Sequence, residues 1–184
     1  MKKKALIVSL KGTKLTSKEM LLLTKENPWG VILFKRNLTS IDQIKLLTSK
    51  IKKLTRNKNF PIIIDEEGET VSRLTNIINQ NISANLFGTL FKNNSILCLN
   101  LYRLYINSLS KILTKLGINI NTIPVLDVLR SNTNKVIGKR SFSKDKKIVK
   151  TLGDLTLKYL HQNRISGVIK HIPGHGASTS DSHK

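Results

Sequence analysis

Cysteine, aromatic side chains and acidic groups are all scarce in this chain of 184 residues. Cys98 stands alone, so no internal disulfide can form, which fits a reducing compartment. Aromatic residues make up 5% of the chain, too few for a base-stacking platform. No apolar run approaches the ~20 residues that cross a bilayer. The start, Met1-Lys2-Lys3-Lys4, has the basic end of a signal peptide. Lys11 cuts the apolar run after Leu10, however, and no small-residue cleavage site follows. A cytoplasmic protein without a membrane segment is therefore expected. No internal repeat and no linker divides the chain, so residues 1–184 read as a single domain.

Lysine, by contrast, is abundant. The chain has 32 basic residues against 11 acidic ones, for a formal charge of +21. Only seven of the basic residues are Arg, at positions 36, 56, 73, 103, 130, 140 and 164. The lysines are spread over helix-like segments instead of forming one arm, which reads as bias on solvated faces and not as a specific nucleic-acid site. Nonspecific attraction to polyanions still follows from such a charge. With 39% apolar residues the chain can bury a core.

Short apolar runs alternate with amphipathic stretches. Lys4 to Leu10 reads as a buried strand, and Thr16-Ser17 caps a helix to about Lys25 that Pro28 ends. Gly30 to Phe34 is a second strand. Ser40 caps a helix with Ile41, Ile44, Leu47 and Ile51 on one face. Phe60 to Ile64 is a third strand, and residues 75 to 95 read as an irregular excursion. A long helix from Ile96 to Leu116 ends at Gly117. Ile118 to Val128 is a fourth strand, 132 to 142 a loop, and Ser143 opens a helix to Gln162. A fifth strand starts at Gly167-Val168-Ile169. This order gives βαβ units and a parallel sheet, as an α/β barrel or a doubly wound sheet.

Polar clusters fall where these strands end, the usual place for sites in such folds. Four of the eleven acids lie within Asp65 to Glu69, directly after a strand. Asp65, at the strand end itself, is the functional candidate. Glu66, Glu67 and Glu69 can simply face water in the loop. Three of the four histidines, His171, His175 and His183, cluster with Lys170, Asp181 and two glycines. Histidine supplies a group that titrates near neutrality, and the glycines permit a loop that bends and moves. A zinc set of His171, His175, Asp181 and His183 is the rival reading. Pro173, Gly174 and Gly176 rule out the helix that such a His pair normally needs.

Five stretches together resemble one family. They are Gly30-Val31-Ile32-Leu33-Phe34-Lys35-Arg36-Asn37, Ile64-Asp65-Glu66-Glu67-Gly68 with Val71-Ser72-Arg73-Leu74, Pro124-Val125-Leu126-Asp127-Val128, Ile137-Gly138-Lys139-Arg140-Ser141-Phe142, and Lys170-His171-Ile172-Pro173-Gly174-His175-Gly176 with Asp181-Ser182-His183. They are similar to motifs of the glycoside hydrolase family 3 β-N-acetylglucosaminidases of the NagZ type, which recycle cell-wall muropeptides. The resemblance implies a (β/α)₈ TIM barrel, no metal or organic cofactor, and retaining hydrolysis of terminal β-linked N-acetylglucosamine. It implies that Asp65, Arg73, Arg140, Lys170 and His171 hold the sugar. It also implies that His183 is the general acid/base, with Asp181 as its partner.

The chain departs from those motifs at Glu66, Glu69 and Thr70, where the family has Gln, Gly and Arg. Lys139 replaces an acid and Ser143 a glycine. About five strands can be counted where a barrel has eight, and the family's nucleophilic aspartate has no counterpart up to Lys184. The expectation is a partial barrel domain of about five β/α units, inactive alone, with a C-terminal fragment as a candidate complement. A sugar-binding remnant without catalysis and a charge-driven polyanion binder are the competing readings.

Overall fold

The computed structural model describes residues 2–181. Among them, β1 (Lys4–Ser9), β2 (Pro28–Leu33), β3 (Ile62–Ile64), β4 (Ile120–Asn121) and β5 (Ser166–Gly167) form one sheet in chain order. Every neighbouring pair is parallel, with Val31 opposite Ile62, Ile63 opposite Ile120 and Asn121 opposite Gly167. Parallel neighbours require crossovers, and helices supply them. The result is an α/β fold with the order of a (β/α) barrel's first five units.

The crossover helices follow local rules. In α1 (Ser17–Leu21) Thr16 and Glu19 form a reciprocal capping box, and the helix runs on through one wider turn, Leu22–Glu26. Asn27, at φ 47°, ends it, so Pro28 opens β2 instead of terminating the helix. The first position of a strand is one that proline tolerates. Ser40 caps α2 (Ile41–Leu54) by accepting from the Gln43 amide, and Ile44, Leu47 and Ile51 are buried on the sheet side. Residues 75 to 95 are less irregular than expected. They contain α3 (Ala84–Asn93), capped by Ser83. Next comes α4 (Ser95–Lys115), whose Tyr102 hydroxyl lies 2.6 Å from Thr156 Oγ1 on α5 (Lys146–Gln162). Asp145, not Ser143, caps α5.

Burial is uneven across the sheet. Ile62 and Ile64 of β3 are fully inaccessible, each contributing about 1.5–3 kcal/mol of burial relative to exposure. The expectation of a buried first strand fails. Leu6 and Ile7 are 54% and 52% exposed, because β1 has a partner on one side only. At the other edge Val168 and Ile169 are also exposed and lie beyond β5, which ends at Gly167. The fourth strand is short as well. After Asn121 the chain continues as non-strand backbone, bonded to the next segment from Val168 to Ile123 and by an isolated bridge, Val125 to Lys170.

Candidate active site

The carboxyl ends of β2, β3, β4 and β5 carry the polar residues. After β2, Asn37 is buried and donates from Nδ2 to the carbonyls of Leu10 (3.1 Å) and Gly12 (2.8 Å). Arg36 Nε donates to the same Leu10 carbonyl at 2.9 Å. These bonds hold the ends of β1 and β2 together and seat Phe34 beneath the Arg73 guanidinium, 5.7 Å from its ring centre.

Asp65 leaves the end of β3 and meets three partners. Its Oδ1 accepts from Thr122 Oγ1 at 2.5 Å and lies 3.6 Å from Lys170 Nζ, while Oδ2 is 3.4 Å from Arg73 Nη2. Burial pushes this carboxyl up, but the Thr122 hydroxyl, Lys170 and Arg73 outweigh it and hold the pKa below the ordinary aspartate value. Asp65 is therefore an ionised acceptor with part of its surface open.

Two neighbours that could have faced water in the loop do not. The Glu67 side chain is only 6% exposed and accepts from Arg140 through Nε at 2.7 Å and Nη2 at 2.9 Å. Its Oε1 also pairs with Lys170 Nζ at 2.5 Å. One carboxylate thus orients two cations, because a planar guanidinium binds both its oxygens in a fixed fork. Glu66 has no exposure at all. Its Oε2 accepts from the amides of Arg73 (2.8 Å) and Leu74 (3.0 Å), closing the loop that carries Arg73. Glu69 does face solvent, paired with Lys139 at 2.7 Å. Two departures from the family motif thus meet each other.

Asp127, on the irregular segment that follows β4, organises the histidine loop. Oδ2 lies 2.6 Å from His171 Nδ1, and Oδ1 accepts from the amides of His175 (2.5 Å) and Gly176 (3.1 Å). With Nδ1–H given to Asp127, His171 Nε2 is left as the acceptor, 3.4 Å from Arg140 Nη2. Two glycines make this loop. Gly174 sits at φ 116°, which L side chains rarely adopt, and a Cβ on Gly176 would meet the Val128 carbonyl oxygen at 2.3 Å.

Asp65, Arg73, Arg140, Lys170 and His171 are therefore brought together. Asp181 is half-buried at the end of the described residues, and His183 lies outside them. Glu67, Thr122, Asn121 and Asp127 were given no role by sequence reasoning. The available signal was polarity at strand ends: Asn121-Thr122 interrupts an apolar strand, and Asp127 closes it. Asn121 clamps the Glu66 backbone, accepting from its amide at 3.0 Å and donating to its carbonyl at 2.9 Å. Among the described residues no three His, Cys, Asp or Glu side chains converge as metal ligands. A small cleft of about 200 Å³ opens beside Asp127 and His171. A wider groove of about 1100 Å³, between Leu23 and Arg56, is remote from these groups and lined by no acid or histidine.

A parallel α/β sheet with carboxylates, cations and a histidine gathered at its strand ends has them where (β/α) barrels carry their sites. Residues 2–184 match the Glycosyl hydrolase family 3 N terminal domain, and the chain belongs to this family. It is 32% identical over 177 residues to a beta-hexosaminidase of Thioalkalivibrio sulfidiphilus, covering 96% of this chain and 50% of that protein. A beta-hexosaminidase of Xanthomonas campestris is 29% identical, over 97% of this chain and 53% of its own length. NagZ from Neisseria gonorrhoeae superimposes with a TM-score of 0.90 at 30% identity, over 98% of this chain and 52% of its own. The same enzyme has been solved with N-trifluoroacetyl-D-glucosamine, again with a TM-score of 0.90. The chain spans about half the length of the curated relatives it matches. Among the described residues no helix is long and apolar enough to cross a membrane.

Proposed function

We propose that this chain is the sugar-recognising part of a β-N-acetylhexosaminidase that removes terminal β-linked N-acetylglucosamine from muropeptides in the cytoplasm. The observation that carries the reading is the cluster of Asp65, Arg73, Arg140, Lys170 and His171 at neighbouring strand ends. A half-open ionised carboxylate accepts hydroxyl hydrogen bonds, and fixed cations donate them, which is what a pyranose rim requires. Relatives named beta-hexosaminidase, and the NagZ structure that holds N-trifluoroacetyl-D-glucosamine, support the amino-sugar class.

In this reading residues 1–184 are one partial barrel domain, and its exposed β1 and β5 edges pair with further strands that carry the nucleophilic aspartate. That carboxylate attacks the anomeric carbon while His183, oriented by Asp181, gives its proton to the leaving oxygen. The same imidazole then deprotonates the water that releases the sugar, with retention. No organic cofactor or metal enters these steps. The 184-residue chain binds the sugar but does not turn it over.

Two assays test this. N-acetylglucosamine titrated into the chain gives saturable heat or amide shifts that Asp65→Ala abolishes. A chromogenic N-acetyl-β-glucosaminide is left intact by the chain alone and cleaved when the remaining barrel segment is added. Binding without cleavage in the mixture favours a sugar-binding remnant. Hydrolysis by the chain alone overturns the proposed division of labour.

A further inference from the structure

The first half of α4 is apolar on two sides, and only one of them is covered. The inward line, with Cys98, Tyr102 and Leu109, is buried in the core. On the outward line Leu97, Leu101 and Leu104 recur at helical spacing and stand exposed. Ile96 beside them is 74% exposed, and Leu86 is open on α3, which packs against α4. Single exposed leucines are ordinary, whereas a row of them marks an interaction surface. Absent sheet neighbours do not account for it. α3 and α4 form the crossover from β3 to β4, in the middle of the strand order. Strands added beside β1 or β5 bring their helices to those edges and not over this ridge.

Charge indicates the occupant. No acid occurs between Glu69 and Asp127, so α3 and α4 carry none. The outward line of α4 continues past Leu104 into Lys111 and Lys115, both exposed, and Lys92 and Arg103 are exposed on the same two helices. On α5, packed against α4, the acids are engaged: Asp145 caps the helix and Asp154 pairs with Lys150. A second copy of the chain would set like charges against each other, on a molecule of formal charge +21. Folded partners are gripped by aromatic anchors, and the open apolar side chains of this ridge are all leucine or isoleucine. A leucine stripe continued by lysines suits the headgroup layer of an anionic bilayer, with the leucines among the acyl chains and the lysine heads at the phosphates. We infer that the outward face of α3 and α4 docks the chain peripherally on an anionic lipid surface. The crossover helices flank the sheet, so the strand ends that carry the candidate site stay open to solvent. The inference does not rest on the amino-sugar reading.

The experiment sediments the full chain with vesicles of phosphatidylcholine alone and of phosphatidylcholine with phosphatidylglycerol in equal parts. Binding to the anionic vesicles only is expected. Each Lys or Arg near such a surface is worth about fivefold in affinity, so Lys111→Gln with Lys115→Gln should weaken binding roughly 25-fold. Lys50→Gln with Lys53→Gln, exposed on α2, removes the same charge elsewhere and should change it by no more than about twofold. Leu97→Gln, Leu101→Gln and Leu104→Gln combined keep every charge and should abolish binding at moderate salt. If that chain does not fold, Leu101→Trp replaces it: brominated acyl chains should quench its emission well beyond that of Trp29, the one native tryptophan. Equal losses from the two lysine pairs would mean attraction by charge alone and overturn the inference. Undiminished binding of the triple variant, or an unquenched Leu101→Trp, does the same. A chain that ignores anionic vesicles also overturns it; self-association abolished by the triple variant then assigns the ridge to a second copy, and a monomer leaves it to a protein partner.

Discussion

The middle of the sheet and its two edges are built from similar residues and have opposite environments. β3 is three isoleucines, all buried, and the charges at its end are matched within hydrogen-bonding distance. β1 also carries an apolar run, Ala5 to Val8, yet Leu6 and Ile7 lie open, as do Val168 and Ile169 at the far side. A strand is buried when it has neighbours on both flanks and helices over it, whatever its own hydrophobicity. The site belongs to the middle: Asp65, Glu67, Thr122 and Lys170 are all anchored by β3, β4 and the segment bridged to them. Stability thus concentrates in the middle, and of the two edges only β5 reaches the site, through Lys170 and His171 beyond its end.

The strongest way to break this comparison is at Glu67. Removing its carboxylate takes the bidentate partner from Arg140 and leaves Lys170 with only Asp65 and Thr122, and breaking so largely buried a pair costs about 3–5 kcal/mol. Glu67→Ala should therefore shift the urea midpoint more than any single edge substitution. A loss below about 1 kcal/mol would mean that the cations find water instead. Next comes a matched pair in the strands: Ile64→Ala in β3 should cost about 2–5 kcal/mol by cavity formation. Ile7→Ala in β1 should stay within about 0.5 kcal/mol, as for ordinary surface changes. Equal losses would show that β1 is covered in solution, and sedimentation would then reveal an associated species.

How much of this was legible in the sequence divides along the same line. Strand order, helix caps at Thr16 and Ser40, and the placement of Asp65 at a strand end all follow from local pattern, and the structure has them. The motifs also pick out the five residues that converge. What local pattern cannot give is which flank of a strand is covered, so β1 read as buried. It also cannot distinguish three consecutive carboxylates. Their fates depend on Arg140 and Lys170, more than seventy residues away in the chain, and on two amides of a loop that closes back. The helix Ala84–Asn93 was hidden by its Asn- and Ser-rich surroundings, since those residues favour turns until tertiary packing decides otherwise.

Asp127 sharpens the comparison on its other side, where the middle of the sheet meets the β5 edge. Three donors converge on its buried carboxylate, from His171, His175 and Gly176. Asp127→Asn keeps the shape but presents an NH₂ to at least one of those donors. Bonds to a charged group are worth about 1.5–3 kcal/mol, so this loss should be local to 170–177. Hydrogen exchange should accelerate there and not in β3, and N-acetylglucosamine affinity should fall because His171 loses its orientation.

The smallest effect belongs to the pair where two departures from the family motif meet, Glu69 with Lys139. Their distance of 2.7 Å matches that of Glu67 with Arg140, so geometry alone would rank them as equals. Exposure decides otherwise: the Lys139 side chain is 64% exposed, against 11% for Arg140. In water each ion is already well solvated, and ordering two long side chains offsets the attraction, leaving about 0–1 kcal/mol that salt screens further. Lys139→Ala should therefore leave the urea midpoint within about 0.5 kcal/mol of the native chain, with no change in N-acetylglucosamine affinity at moderate salt. A loss as large as that of Glu67→Ala would mean that the 67–71 loop is held from its outer side, and that Glu69, read as a solvent-facing residue, is part of the frame of the site.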